Sequence, residues 1–284
     1  MTGFDGSGFD ESGRSIWSGR AVAYAESFAA VCAYPIGDLL DAVGAGPGVH
    51  LLDVGTGSGN VAAAAYARGA RITAVDAEPG MVELTAQAVP TADVRVAELP
   101  VLPFADATFD AVTANFVLDH VGRPRRALAE LNRVTRPGGR IAVTVWCVPA
   151  GSGQALLGRA TEAAGVRRPP HRAVLPPETD FPRTERGLLD LLPAAGLAHP
   201  SCRTLAWDHL TSAGQWWQGA ASGVGFTGHL IAAQPAATRA EIKRHFDLLS
   251  AGFTTPDGRL ALPHQALLAG ATAQPGPVPV PRTG

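Results

Sequence analysis

The sequence predicts an α/β fold, a doubly wound and mostly parallel sheet carrying a helical cap. Three observations point there. From Val49 to Trp146, short apolar runs alternate with alanine- and leucine-rich stretches of helical period. The first run breaks into Gly55-Thr56-Gly57-Ser58-Gly59. The second and third runs end in acids, Asp76 and Glu98, at the carboxyl edge where open α/β sheets bind ligands.

Residues 1–13, rich in Gly, Ser, Asp and Glu, read as a flexible N-terminal tail. Over 14–48, Trp17, Tyr24, Phe28, Val31, Leu39 and Leu40 recur at helical spacing, which predicts two short helices divided near Pro35. The core spans 49–210. Its first strand covers 49–54, a helix 61–68, the second strand 71–75, the third 93–97 and the fourth 111–116. Pro124 opens a helix with Leu128, Leu131 and Val134 that Pro137-Gly138-Gly139 stops, and 141–146 is the fifth strand. Residues 154–164 and 184–195 read as helices around a Pro/Arg-rich loop at 166–183, and 201–209 as the sixth strand. A helical cap insertion fills 211–258, with Trp216, Trp217, Phe226, His229, Ile231 and Phe246. Residues 259–272 are the last core strand, and 273–284, proline-rich and aperiodic, a disordered tail.

Composition narrows the function. A chain of 284 residues suffices for one domain plus a cap. The net charge of −2 and scattered arginines supply no basic footprint for nucleic acid. Three distant cysteines suggest free thiols rather than a disulfide framework, and no metal site is indicated. No stretch nears twenty apolar residues and the N-terminus has no leader pattern, so the expectation is a cytoplasmic protein that spans no membrane, monomer or homodimer.

The glycine turn opens a helix, where unpaired N–H groups and the positive dipole end face a ligand. Asp76, about twenty residues on, is placed to accept hydrogen bonds from ribose hydroxyls. The dinucleotide fingerprint G-x-G-x-x-G fails, because its third position falls on Asn60 and the third glycine is Gly59. NAD therefore has no evident seat.

The run Leu52-Asp53-Val54-Gly55-Thr56-Gly57-Ser58-Gly59, then Ala74-Val75-Asp76 with Met81, Leu102-Pro103-Phe104 before Phe109-Asp110, and Arg136-Pro137-Gly138-Gly139-Arg140 resembles the class I S-adenosylmethionine-dependent methyltransferases. Within them it is similar to the small-molecule branch of the ubiquinone and menaquinone pathways. The resemblance covers about residues 49–146. It implies a Rossmann-like sheet of seven strands whose last strand is antiparallel, with S-adenosylmethionine as cofactor and S-adenosylhomocysteine as product. It implies that Gly55, Thr56, Gly57 and Gly59 pack against the amino-acid and ribose portion, Asp53 reaches the amino group directly or through water, and Asp76 with Ala77 takes the ribose. Met81 would lie on adenine, Glu98 and Leu99 on its edge, and Asn115 and Phe116 beside the sulfonium. The N-terminal segment would close over the cofactor, with Tyr24 as the residue at that contact.

A sulfonium methyl is already electrophilic, so the protein mainly aligns an acceptor and removes a proton. His120, just past the fourth strand, is the candidate base, with Asp119 to orient it; His229 and His171 are secondary candidates and His209 reads as structural. Trp216 and Trp217 offer flat apolar surface, with one of them expected to serve the cap's own core. The expected partner is a hydrophobic small-molecule acceptor, methylated at oxygen, nitrogen or carbon, with specialised metabolism as the expected setting. The alternative is the same fold using the cofactor structurally, to catalyse a cyclisation or bind a metabolite.

Overall fold

A computed structural model describes residues 7–167, 175–176 and 178–275. In chain order its elements are α1 (Ser7–Trp17), α2 (Ala21–Ala25), α3 (Ala29–Cys32), α4 (Ile36–Val43), β1 (His50–Val54), α5 (Asn60–Ala67), β2 (Arg71–Asp76), α6 (Pro79–Ala88), β3 (Asp93–Val96) and β4 (Phe109–Asn115). There follow α7 (Pro124–Val134), β5 (Thr135–Trp146), α8 (Leu156–Ala163), α9 (Glu185–Ala194), β6 (Ala198–Thr211), α10 (Ala213–Ala221), α11 (Gly225–Ala232), α12 (Ala236–Ser250) and β7 (Leu260–Thr272).

The seven strands form one sheet in the order β3-β2-β1-β4-β5-β7-β6. The first five pair in parallel, and β7 runs antiparallel between β5 and β6. Both faces are apolar because β-strand side chains alternate. Leu52, Val54, Val112 and Val143 meet Leu128 and Leu131 of α7 and Leu188 and Leu192 of α9, while Leu51, Ile72, Ala74 and Ala111 meet Leu39 and Leu40 of α4 and Val61 and Ala65 of α5. The chain is thus wound on both sides of the sheet.

The sheet is not trimmed evenly at its carboxyl edge. Trp146, the last residue of β5, pairs with Ala266, and residues 260–265 of β7 pair with residues 206–211 of β6 and no longer with β5. Six residues of each strand therefore overhang the edge, about 20 Å at ~3.3 Å per residue. The cap packs on this overhang: Trp216, Ala220, Ile231, Ile242 and Phe246 from α10 to α12 join Leu156 and Ala160 of α8, Val31 of α3, and Leu260 and Leu262 in one cluster.

Three expectations need correction. The N-terminal region forms four short helices rather than two, since the chain also turns at Gly19, which has φ +69°, and again over residues 26–28. Residues 7–13 are not tail but the start of α1, which is tied to the sheet edge: the Asp10 carboxylate accepts the Gly122 N–H at 2.5 Å and Arg14 pairs with Glu98 at 2.8 Å. Ala273 is buried and exchanges 2.9 Å backbone hydrogen bonds with Gly138 and Gly139, so strand pairing reaches into the expected C-terminal tail. Residues 276–284 and His171 lie outside the described residues.

Candidate functional site

The glycine turn joins β1 to α5 with Gly55, Gly57 and Gly59 all left-handed, at φ +67°, +58° and +85°. Each is also crowded. A Cβ on Gly55 would lie 2.4 Å from Val117 Cγ2, one on Gly57 3.2 Å from Tyr24 Cε1, and one on Gly59 3.0 Å from Thr85 Cα. Only glycine satisfies both the backbone angle and the space. The turn is held to β2 by the Asp76 carboxylate, which accepts the Gly57 N–H at 2.9 Å and the Glu78 N–H at 3.0 Å. Burial raises the Asp76 carboxyl above its ordinary range, opposed by these backbone donors.

Beside the turn opens a cleft of about 280 Å³, counted out to open solvent, walled by Gly55, Thr56, Ser58 and Asn60 on one side and by Tyr24, Ala29, Cys32 and Asn115 on the other. Tyr24 stands over the turn, packs edge-on to Trp17 at 5.6 Å and hydrogen-bonds with Cys32. The floor is a short polar relay. Thr144 Oγ1 donates to Asn115 Oδ1 at 2.6 Å and accepts the Phe116 N–H at 2.9 Å, while Asn115 Nδ2 donates to the Cys32 carbonyl at 2.9 Å. Phe116 takes the left-handed φ of +58° and stacks on Trp146 at 4.0 Å. Such a conformation is costly for a bulky residue and is held here by the relay.

Several expected contacts fall elsewhere. Asp53 is 1% exposed and lies beneath the turn, accepting from Thr56 Oγ1 at 2.8 Å, from Thr113 Oγ1 at 2.9 Å and from the Ala62 N–H. It holds the start of α5 in place rather than lining the cleft, and burial pushes its carboxyl up to about 7 against those donors. Met81 and Leu99 are buried, whereas Ala77 is exposed and Glu98 faces solvent, paired with Arg14. The Asp119 carboxylate does not orient His120: it accepts the Trp146 N–H at 3.1 Å and the Arg183 Nε–H at 3.1 Å. His120 packs under α1, 5.3 Å from Trp17, one ring beyond the cleft wall. His229, on α11, has a buried Nδ1 with no hydrogen bond. Trp217 packs on Phe246 in the cap's core, while Trp216 turns toward the sheet.

A second group was missed in the sequence. On the overhang, Trp207 and His264 sit opposite each other in register and stack at 6.0 Å. His209 lies 5.2 Å from Trp216 and 6.0 Å from His264, Trp146 lies 5.9 Å from His264, and Tyr34 stacks on Trp207 at 5.5 Å. His209, read from the sequence as structural, is buried among these rings. Desolvation lowers His209 and pushes His264 down to about 4, so both imidazoles are neutral at pH 7. Trp207 Nε1, His209 Nδ1 and Trp216 Nε1 are buried without hydrogen-bond partners. Each such group costs about 1–3 kcal/mol. The signal was the i, i+2 spacing of Trp207 and His209, which gains meaning only once β7 is set opposite.

Comparison with known proteins follows this geometry. Residues 52–143 match the family described as Methyltransferase domain. The demethylmenaquinone methyltransferase of Renibacterium salmoninarum is 40% identical over 111 residues, 39% of this chain and 47% of that protein. The chain thus spans about half the length of the curated relatives it matches. The crystal structure of YcgJ from Bacillus subtilis is similar with a TM-score of 0.56 at 19% identity, over 86% of this chain and 99% of that one. SpnF, a 4+2 cyclase, is similar at 0.51 and 19%, over 86% and 81%. At these identities the two structures share the fold.

Proposed function

From a chain that resembles the class I S-adenosylmethionine-dependent methyltransferases in its sheet core and motifs, we infer an enzyme that transfers the methyl group of S-adenosylmethionine to a hydrophobic small molecule. One observation carries this reading. The three left-handed glycines and the carboxylate closing the neighbouring strand are one hydrogen bond apart, Gly57 N–H to Asp76 Oδ2 at 2.9 Å. A carboxylate offers about four lone-pair sites, so Asp76 keeps acceptor capacity for a ribose hydroxyl beside the backbone N–H groups of Gly57, Ala77 and Glu78. The turn leaves room for close backbone approach, and Gly59, the N-cap of α5, puts no side chain between the helix start and the cleft, while Asp53 takes the Ala62 N–H from beneath.

The bound cofactor supplies an electrophilic methyl group. This chain's own residues supply the rest: Tyr24 covers the turn against water, Asn115 and Phe116 are fixed by Thr144 at the cleft floor, and Met81 and Leu99 back the adenine side. The acceptor is proposed as an apolar small molecule, of the kind met in specialised metabolism, on the strength of the ring-lined overhang next to that floor. The fold alone does not choose between methyl transfer and a structural use of the cofactor. Mass-spectrometric appearance of S-adenosylhomocysteine with turnover selects the first.

Calorimetric titration with S-adenosylhomocysteine tests the site. Hydrogen bonds to a charged group contribute about 1.5–3 kcal/mol each, so Asp76→Ala is expected to weaken binding at least ~10-fold, with Asp76→Asn between it and the wild type. Equal affinity in all three proteins would remove Asp76 from the site.

A further inference from the structure

We propose that the ring cluster on the overhanging β6–β7 ribbon is the acceptor's seat, built for a flat, neutral molecule carrying both a hydrogen-bond-accepting oxygen and an O–H or N–H donor. The proposal rests on the methyl-transfer reading and adds the place and chemistry of the second ligand.

Position comes first. Trp146 stacks on Phe116 at 4.0 Å and lies 6.0 Å from Trp207 and 5.9 Å from His264, so the rings continue the cleft floor without a break. Cys32, which lines the cleft and holds Asn115 through its carbonyl, stands two residues before Tyr34, whose ring lies flat on Trp207. Cleft and cluster therefore share the wall from Cys32 to Tyr34. Tyr34 is 43% exposed, in contrast to His209 and Trp216 at 5% and His264 at 2%. It is the outermost ring of the group.

The polar atoms define the ligand. A cluster serving only as core gains nothing from indole and imidazole nitrogens left without partners, since each is desolvated without a compensating hydrogen bond. Here Trp207 Nε1 and Trp216 Nε1 are buried donors without acceptors, which calls for ligand oxygens. His264 Nδ1 lies 2.7 Å from the Leu262 carbonyl, an acceptor only, so the proton of the neutral ring sits on Nδ1. Nε2 is then a bare acceptor, which calls for a donor on the ligand. The rings themselves stack on a planar molecule. None of them carries a charge, which disfavours an ionic ligand.

The test uses the full chain labelled with nitrogen-15 and follows the indole N–H resonances, with those of Trp207 and Trp216 assigned from Trp207→Phe and Trp216→Phe. The probes are 6-hydroxyflavone and the smaller 4-hydroxyacetophenone, which carry donor and acceptor, and flavone, which lacks the donor. At least one hydroxylated probe should shift both indole resonances saturably, with flavone at least ~10-fold weaker. His264→Asn keeps a donor for the Leu262 carbonyl but loses Nε2, and should weaken the hydroxylated probe ~10-fold while leaving S-adenosylhomocysteine affinity unchanged. Trp216→Phe, which removes the indole N–H and keeps an aromatic ring, should weaken it likewise, with unchanged S-adenosylhomocysteine affinity showing that the fold is kept. If neither hydroxylated probe moves these resonances while S-adenosylhomocysteine still binds, the seat is overturned and the cofactor reading survives. If the probes bind and S-adenosylhomocysteine does not, the methyl-transfer reading falls, and with it the acceptor role.

Discussion

Asp53 sits 1% exposed beneath the glycine turn, held by the hydroxyls of Thr56 and Thr113. Its position after a buried apolar run was legible, but its surroundings were not, because Thr113 comes from a strand sixty residues away. Two hydroxyls and the Ala62 N–H enclose it, and burial still outweighs them, lifting the carboxyl to about 7. A carboxyl held higher in the folded than in the unfolded chain lends stability that is present at low pH and lost as pH rises from about 4 to about 7. Asp53→Asn stays neutral throughout. Urea unfolding at pH 4.5, 6 and 7.5 should therefore show the wild type losing stability relative to Asp53→Asn as pH rises; parallel curves would mean the carboxyl is not raised. The same distance in sequence hid His264 and Trp207. The i, i+2 spacing of Trp207 and His209 is a local trace, but the pairing of Trp207 with His264 exists only in the β6–β7 register.

At the scale of elements, the strands and core helices were readable because their periodicity is set by which face is buried. Helix α1 was not, since its composition is that of a solvated tail. Its order comes from contacts made one helical face at a time: Asp10, Arg14 and Trp17, at i, i+4 and i+7, reach Gly122, Glu98 and the rings of Tyr24 and His120. An exposed ion pair such as Arg14 with Glu98 contributes little, about 0–1 kcal/mol, so the aromatic contacts dominate. Trp17→Ala should accordingly speed hydrogen exchange across residues 7–17 and loosen Tyr24 over the glycine turn, with S-adenosylhomocysteine bound several-fold more weakly. Unaltered exchange would show that α1 is anchored by its polar ties instead.

For the whole molecule, the doubly wound sheet and its helical cap follow from the alternation of runs and from an insertion placed between the last two strands. The overhang does not. It depends on β6 and β7 being longer than the parallel strands, 14 and 13 residues against 5 for β1, and on the cap helices packing on their free ends. That asymmetry puts the aromatic ribbon beside the glycine cleft, on the same edge. No helix among the described residues is long and apolar enough to cross a membrane.

The central claim is that the turn at Gly55 to Gly59, with Asp76, holds S-adenosylmethionine. Thermal unfolding with S-adenosylmethionine, S-adenosylhomocysteine and NAD in parallel tests it most directly, since a ligand at a hundredfold its Kd adds about 2.7 kcal/mol to the folded state. Both sulfur nucleosides should raise Tm, NAD should not, and the rise should be lost in Asp76→Ala. An unchanged Tm with either sulfur nucleoside at millimolar concentration, or a rise with NAD alone, would contradict it.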